Sequence, residues 1–327
     1  MARGRLRPRV LAFIFRRLLE SIPVLFLATI LIFLGLRLLP GDPALILAGQ
    51  DATPETLRAI RQQNGLDQPL PVQYVIWLKN VVHGDLGVSF FTRAPVAQLL
   101  SQRIPATLEL GIAGMLMSIV LGIPTGIVAA VQNHRMPDWF VSAFNGLAVA
   151  VPGFWLGILS IILFSLVLGW LPPGGHGDLL KDPLLELKFL LLPAVTLALP
   201  FAAGLSRLVK GSMLEVLNDD YVRTARAKGV AEQGVVWHHA LRNAMVPVAT
   251  ILGLQFGRLL GGAVITESVF SWPGVGRLIR DSIGNRDYAV VQASLLMLVV
   301  VFVVINLMTD ITYGILDPRI RLSRGTR

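Results

Sequence analysis

None of the 327 residues is cysteine, and only 15% are charged. The absence of cysteine excludes disulfide bonds, thiol catalysis, cysteine-ligated zinc and a lipid anchor on cysteine. The five histidines form no H-E-x-x-H motif, which excludes that class of zinc protease. No glycine is followed by lysine, so the phosphate-binding loop G-x-x-x-x-G-K-[ST] is absent. The chain therefore does not hydrolyse ATP with that machinery.

The low charge content also limits the fold class. Soluble domains carry about 25% charged residues, and the length alone would favour roughly two such domains. Here 54% of the residues are hydrophobic, and the polar residues are too few to cover two soluble surfaces. The composition therefore indicates an integral membrane protein.

Six apolar segments are candidates for membrane-spanning helices, each of which needs about 20 predominantly apolar residues. The first segment carries basic residues on its N-terminal side and lacks a nearby cleavage site, which favours an uncleaved signal anchor. The sequence predicts an all-α polytopic membrane protein with six transmembrane helices. The segments are 21–36 (extended by 13–19), 110–133, 141–168, 189–206, 243–266 and 288–309.

The net charge of +9 is unevenly distributed between the segments that connect these spans. With both termini in the cytoplasm, the cytoplasmic segments hold 17 basic residues in 76 positions, against 9 in 108 positions outside. Cytoplasmic loops of membrane proteins are enriched in Lys and Arg. We therefore expect both termini to be cytoplasmic, and topology explains the positive charge better than nucleic-acid binding does.

The segment 40–106 between the first two spans is too long to be a bare connection. It carries a helix start at Thr53-Pro54-Glu55, a stop at Asn64-Gly65 and an apolar stripe from Pro71 to His83. We expect an extracytoplasmic helical cap here, although a loop with stray helical turns is the alternative. Residues 1–39 form the basic arm and first helix, 107–318 the five-helix core, and 319–327 a basic cytoplasmic tail.

The segment 211–247 between the fourth and fifth spans predicts a helix–glycine–helix hairpin. Ser212 and Glu215 form a capping-box pattern, and Gly229 is a natural helix stop. A second helical pattern runs over residues 231–243. Its small, basic surface is suited to insertion into a groove on another protein, but an ordinary basic loop remains an equal alternative on these grounds.

This segment resembles the EAA loop of ATP-binding-cassette importer permeases, in the form found in peptide permeases. Residues 220–229 match D-Y-x-R-T-A-R-A-K-G, and residues 239–247 match H-A-L-R-N-A-x-x-P. Arg223 stands where the general consensus has Glu, and no Pro follows Leu241, as in the peptide branch. The whole chain is most similar to the B-type permeases of dipeptide and oligopeptide importers. Four further motifs carry this likeness: Leu39–Pro43, His83–Gly87, Ala106–Gly111 and Glu267–Arg277.

The resemblance implies that residues 219–243, here termed the coupling hairpin, dock into an ATPase subunit. It also implies a bacterial inner-membrane complex with a homologous second permease in a heterodimer, two ATPase subunits or domains and an extracytoplasmic solute-binding protein. ATP and Mg would be bound by the ATPase subunits, and this chain would hold no cofactor, no metal and no catalytic residue. The expected coupling residues are Asp220, Tyr221, Arg223, Thr224, Ala225, Arg226, Ala227, Lys228, Gly229, His239, Arg242 and Asn243.

Four residues in or beside the spans are candidates for the pathway or gate: Arg258, Glu109, Glu267 and Trp272. Charges inside a membrane are costly and mark functional sites by default. For Arg258 a hydrated pathway and a structural ion pair both remain open. For Trp272 the alternative is an aromatic anchor at the membrane interface. Small residues at Gly253, Gly257 and Gly261, and again at Gly122 and Gly126, predict close helix packing.

Short peptides are the expected substrate, and relatives in this branch also import glutathione, nickel, opines and oligosaccharides. An ion-gradient-driven secondary transporter is the alternative from another class. Such transporters often show internal repeats and binding sites near the membrane midplane. The sequence shows no convincing repeat and no carboxylate near a span centre. An intramembrane enzyme is a third class, but no paired nucleophile and base lies within the spans.

Overall fold

The computed structural model describes residues 6–38, 44–45, 53–63, 65–177 and 181–316. Within them the regular structure is helical, apart from one isolated β-bridge between Val88 and Pro95. This confirms the all-α fold class. The α-helices with at least three described residues are α1 (Leu6–Arg37), α2 (Pro54–Gln63), α3 (Leu70–Val82), α4 (Val96–Val131), α5 (Met136–Ala150), α6 (Gly153–Ser160), α7 (Pro183–Leu217), α8 (Asp220–Ala227), α9 (Glu232–Gly234), α10 (Leu241–Val269), α11 (Val275–Gly284) and α12 (Tyr288–Leu316).

Four helices in the described residues are long and apolar enough to cross a membrane: Phe15–Arg37, Val96–Val131, Pro183–Leu217 and Tyr288–Thr309. Two bent helix pairs also qualify if each pair is one span. The first pair is α5 with α6 and its π-helical extension Ile161–Val167. The second is Glu232–Gly253, which begins with α9 and the π-helical turn Val235–Ala240, paired with Gln255–Val269, so that the bend of 47° lies within α10. The structure thus has between four and six candidate spans.

The third predicted span is not one straight helix, as the apolar run 141–168 had indicated. The chain bends by 105° between α5 and α6. Proline disfavours helical backbone at the residue before it and has no amide hydrogen to donate. Val151, before Pro152, is extended with ψ of 126°, and it ends α5. Counting charge-free residues missed this break because hydrophobicity continues through it.

The predicted helix start at Ser212 and Glu215 is wrong, because α7 runs through these residues to Leu217. Its last turns stay helical because Val209 and Met213 are fully buried in the core. Other helix positions also differ from the sequence prediction. Helix α4 begins at Val96, before the charge-free run, and α11 was not predicted at all.

The described residues within 1–106 and 274–327 form one compact unit. Helices α2 and α3 match the two helices predicted for the cap. Phe33 of α1 lies against Tyr74 and Trp77 of α3, with ring centroids 5.4 and 5.8 Å apart. The Asp287 carboxylate accepts hydrogen bonds from the hydroxyl of Ser89 and, at 3.1 Å, from the backbone amide of Phe90. The motif 39–43, Asn64, the first five residues and the tail 319–327 lie outside the described residues.

The described residues within 107–273 form the second compact unit, in which α7 packs against α5, α6 and α10. Gly122 and Gly126 let α4 approach α7 closely, as the small residues at these positions predicted. A Cβ atom added at Gly122 would lie 2.8 Å from the carbonyl oxygen of Ala202. A Cβ atom added at Gly126 would lie 2.6 Å from the carbonyl oxygen of Ser206. In the other predicted set (Gly253, Gly257 and Gly261), a Cβ atom added at Gly261 would meet nothing within 4 Å. That position is therefore not a close packing contact among the described residues.

Candidate functional site

The coupling hairpin lies beyond the C-terminal end of α7. Helix α7 has 35 residues, or about 52 Å of length, whereas the hydrocarbon core of a bilayer is about 30 Å thick. The hairpin consists of α8, a turn at Gly229 with φ of +79°, and α9 continuing into the π-helical turn. The predicted helix–glycine–helix arrangement is therefore present.

One face of the hairpin is buried in the core of the second unit. Val222 and Ala225 of α8 are buried, and so are Val236 and Ala240 of the π-helical turn. The latter two belong to a cluster with Val209 and Met213 of α7 and Ala244 and Val248 of α10. Because apolar contacts join the hairpin to α7 and α10, displacement of the hairpin would be transmitted to both helices.

An ion pair closes the turn of the hairpin. Arg226 Nη2 lies 2.7 Å from Glu232 Oε1, and Arg226 Nε lies 3.1 Å from Glu232 Oε2. Arg226 Nη1 also donates a hydrogen bond of 3.3 Å to the carbonyl oxygen of Leu217 at the end of α7. The hydrogen bond with Arg226 holds the pKa of Glu232 below its usual value, and Glu232 raises the pKa of Arg226. Arg226 is therefore engaged inside the hairpin.

A second link joins α8 to the start of α10. The Tyr221 hydroxyl accepts a 2.7 Å hydrogen bond from Asn243 Nδ2 and donates a 3.1 Å hydrogen bond to the carbonyl oxygen of His239. These three predicted coupling residues lie close together although 22 positions separate the outer two. The link fixes the angle between the two arms of the hairpin.

The remaining predicted coupling residues lie on the outer surface. Arg223, Thr224, Ala227, Lys228, Gly229 and Arg242 are exposed, and so is Asp220, which lies 3.5 Å from Arg223. Trp237 is also exposed on this hairpin, at 58% of its surface. Sequence reasoning missed Trp237, although a tryptophan beside a basic motif outside the spans was a usable signal. An exposed tryptophan beside basic residues is typical of a protein-binding surface.

A partly buried ion pair lies near the same end of α7. Lys210 Nζ of α7 lies 2.5 Å from Asp138 Oδ1 of α5, and Asp138 is 6% exposed. The Asp138 carboxylate also accepts a 3.0 Å hydrogen bond from the backbone amide of His134. The pair therefore joins α5 to the part of α7 that leads into the hairpin.

Three of the four predicted gate residues lie near one another at the opposite end of α7. Glu267 is fully buried and accepts a 2.7 Å hydrogen bond from the Thr107 hydroxyl. Its carbonyl oxygen accepts a 2.9 Å hydrogen bond from the backbone amide of Trp272. The Trp272 side chain is buried and makes a T-shaped contact with the His176 ring, at 4.7 Å between centroids. Burial of Trp272 in the protein contradicts the alternative of an aromatic anchor in the membrane interface.

His176 connects this group to Glu109. Its Nε2 atom lies 3.1 Å from Glu109 Oε2 and 3.7 Å from Glu186 Oε1 of the first turn of α7. Neither His176 nor Glu186 was predicted from the sequence as a site residue. They are separated from Glu109 by 67 and 77 positions, and no local pattern marks them.

Arg258 does not belong to this group. It lies on α10 and is exposed, and within the described residues it makes no ion pair. Gly261 and Ile265 follow on the same face of the helix, because residues three to four positions apart share a face. Both are exposed, Ile265 at 56% of its surface. The arginine therefore belongs to a face of α10 that is exposed among the described residues.

Comparison with known proteins identifies two family models. The model described as binding-protein-dependent transport system inner membrane component matches residues 122–322, and the model of its N-terminal region matches residues 10–111. A protein named as a peptide transport system permease from Brucella abortus is 46% identical over 310 residues, covering 95% of this chain and 99% of that protein. A glutathione transport system permease protein from Escherichia coli strain K12 is 44% identical over 312 residues, covering 95% and 99%.

Among solved structures, the chain is similar to an inward-facing MetNI methionine ABC transporter. The TM-score is 0.56 at 19% identity, over 68% of this chain and 98% of that chain. At this identity the likeness concerns the fold.

Proposed function

Because the chain belongs to the family of binding-protein-dependent transport system inner membrane components, we propose that it is the translocation subunit of an ATP-driven importer for short peptides. The observation that carries this proposal is the near-complete coverage of a relative named as a peptide permease, at 46% identity. Energy comes from separate ATPase subunits that bind ATP and Mg, since this chain has no phosphate-binding loop. A solute-binding protein delivers the peptide on the outer side of the inner membrane.

The coupling hairpin is the ATPase contact in this proposal. Its outer surface presents Arg223, Lys228 and Trp237, while its inner face packs on α7 and α10. Closure of the ATPase subunits pushes on the outer surface. The buried contacts and the Lys210–Asp138 ion pair carry that displacement into α5, α7 and α10. These residues transmit force, and none of them performs covalent chemistry.

The exposed face of α10 is the proposed contact with the pathway or with the second permease. The free-energy cost of placing a charged Arg258 side chain against lipid near the middle of a span is too high. This face therefore requires water or protein against it. Gly261 leaves space for a close approach. We assign the face to a homologous, distinct permease and to the hydrated pathway between the two subunits. The buried residues Glu267 and Trp272, with the partly exposed Glu109, form the outer gate.

One experiment tests the function and separates the two leading substrates. The complete importer is purified with its binding protein, and the ligand carried by the binding protein is identified by mass spectrometry. Proteoliposomes containing the complex and internal ATP are then supplied with that binding protein and a labelled tripeptide or labelled glutathione. ATP-dependent uptake of the tripeptide supports the proposal.

Uptake of glutathione without other peptides would favour a second candidate function, a glutathione importer. The 44% identity to a glutathione transport system permease protein supports this candidate. Uptake driven by a proton or sodium gradient in the absence of ATP would contradict both candidates and favour the secondary transporter. A variant in the coupling hairpin serves as the matched control, because it should bind the same partners and ligand but lose ATP-dependent uptake.

A further inference from the structure

Three metal-ligating side chains converge at the N-terminal end of α7. Glu109 comes from α4, His176 from the segment before α7, and Glu186 from the first turn of α7. One ligand atom from each residue lies within 4.8 Å of the other two. Because the three donors belong to three separate segments of the chain, the fold of residues 107–273 creates this cluster.

The spacing of the donors agrees with a metal-binding geometry. Zinc binds histidine nitrogen and carboxylate oxygen at about 2.0–2.2 Å, which places tetrahedral ligand atoms about 3.3–3.6 Å apart. The His176 Nε2 atom lies 3.1 Å from Glu109 Oε2 and 3.7 Å from Glu186 Oε1. These two separations bracket the tetrahedral value, so an ion fits among the three atoms with only small shifts.

The ligands are held in position by their surroundings. The Glu186 side chain is fully buried, and its Oε2 atom accepts a hydrogen bond from the backbone amide of Gly177. The Oε1 atom is then the one that faces His176. The His176 and Trp272 rings meet in a T-shaped contact, with an angle of 77° between their planes. Such outer contacts orient ligands before an ion binds and strengthen metal affinity.

The charges of the cluster also favour a cation. Two carboxylates face one imidazole nitrogen, which can donate only one proton. The Oε1 atom of Glu109 is buried and has no hydrogen-bond partner among the described residues. The side chains of Glu109 and His176 are 23% and 29% exposed, so the cluster is open to an entering ion. A divalent cation would neutralise both carboxylates and accept the imidazole lone pair.

We propose that Glu109, His176 and Glu186 form a binding site for a divalent first-row transition-metal ion. One imidazole and two carboxylates match Zn²⁺. The ion ties α4 and the segment before α7 to the start of α7. This site does not depend on the transported substrate, so it is tested by metal binding alone.

The test uses the intact importer complex in detergent, stripped with a chelator and titrated with Zn²⁺ against a chromophoric zinc indicator. We expect one Zn²⁺ per chain at this site. The variants H176A and E109Q should weaken binding by about 100-fold or more, since even changes outside the ligand set cost about 10–100-fold. Co²⁺ loaded into the wild-type complex should give visible absorption of a tetrahedral centre that H176A lacks.

Matched controls are H83A and E55Q, because His83 and Glu55 are exposed and lie in the other compact unit. Both should bind Zn²⁺ as the wild type does. If H176A fails to fold, E109Q decides the question, because Glu109 is partly exposed and its carboxamide has the same shape. Stoichiometric Zn²⁺ that is lost in E109Q and kept in the controls supports the site. No stoichiometric Zn²⁺ in the wild type, or equal affinity in E109Q and wild type, would overturn it.

Discussion

Arg226 Nη2 and Glu232 Oε1 lie 2.7 Å apart across the turn of the coupling hairpin. Both side chains are more than one third exposed, so solvent screens the pair and its contribution is at most about 1 kcal/mol. We predict that E232Q increases local opening of the hairpin up to about fivefold. Hydrogen exchange of backbone amides over residues 219–235, followed by mass spectrometry, measures this. The variant D281N, which alters an exposed ion pair on α11, should leave that exchange unchanged.

The same pair has a defined pH dependence. Arg226 lowers the pKa of Glu232 below its usual 4.5, chiefly through their hydrogen bond. A carboxyl group with a lowered pKa in the folded state adds stability above its unfolded pKa, and this is lost as the pH falls through the folded pKa. The difference in thermal midpoint between wild type and E232Q should therefore be constant from neutral pH down to about pH 5 and shrink as the pH falls further, through the lowered pKa of Glu232 in the folded state. A difference that instead grows on acidification would contradict this assignment.

Gly229 is the hairpin position at which backbone conformation restricts the residue type. Its φ is +79°, and a left-handed conformation costs about 1–2 kcal/mol in residues with a Cβ atom and more in β-branched ones. We predict that G229V inserts and assembles normally but transports at less than about one tenth of the wild-type rate. ATP-dependent uptake in membrane vesicles measures this, with the amount of assembled complex as reference.

The control for that variant is G211V. Gly211 lies in α7 close to the hairpin, is exposed, and a Cβ atom there would meet nothing within 4 Å. It should transport near the wild-type rate. Normal transport by G229V would remove the coupling role from this turn.

Sequence patterns predict that a helix is present more accurately than they predict the residues at which it begins and ends. Charge-free runs located the long helices, because hydrophobic length is a property of consecutive residues. The bend at Val151 and Pro152 was missed because the run stays apolar through it. The start at Ser212 was misplaced because the burial of Val209 and Met213 is a tertiary contact. Two contacts join positions that are far apart in the sequence, so only the folded chain brings them together. They are the hydrogen bond between Tyr221 and Asn243 and the approach of His176 to Glu109.

The close approach of α4 and α7 gives a prediction on stability. A Cβ atom at Gly126 would lie 2.6 Å from the backbone oxygen of Ser206, which cannot move aside as a flexible side chain does. Overpacking of this kind costs about 1–3 kcal/mol, so G126A should lower the thermal midpoint of the purified complex. G146A is the matched control, since Gly146 lies in α5 with nothing within 4 Å of a Cβ atom. Equal midpoints for the two variants would show that α4 can shift to relieve the contact.

The absence of cysteine makes the orientation of the chain directly testable. The distribution of Lys and Arg predicts that His83 faces the outside and Gln233 the cytoplasm. Both residues are exposed, so cysteines placed there one at a time are accessible to reagents. A membrane-impermeant maleimide should label H83C in spheroplasts and Q233C in inverted membrane vesicles, whereas the parent chain stays unlabelled in both. The reverse pattern would place the coupling hairpin outside, where no ATPase could reach it, and would contradict the orientation together with the coupling role that depends on it.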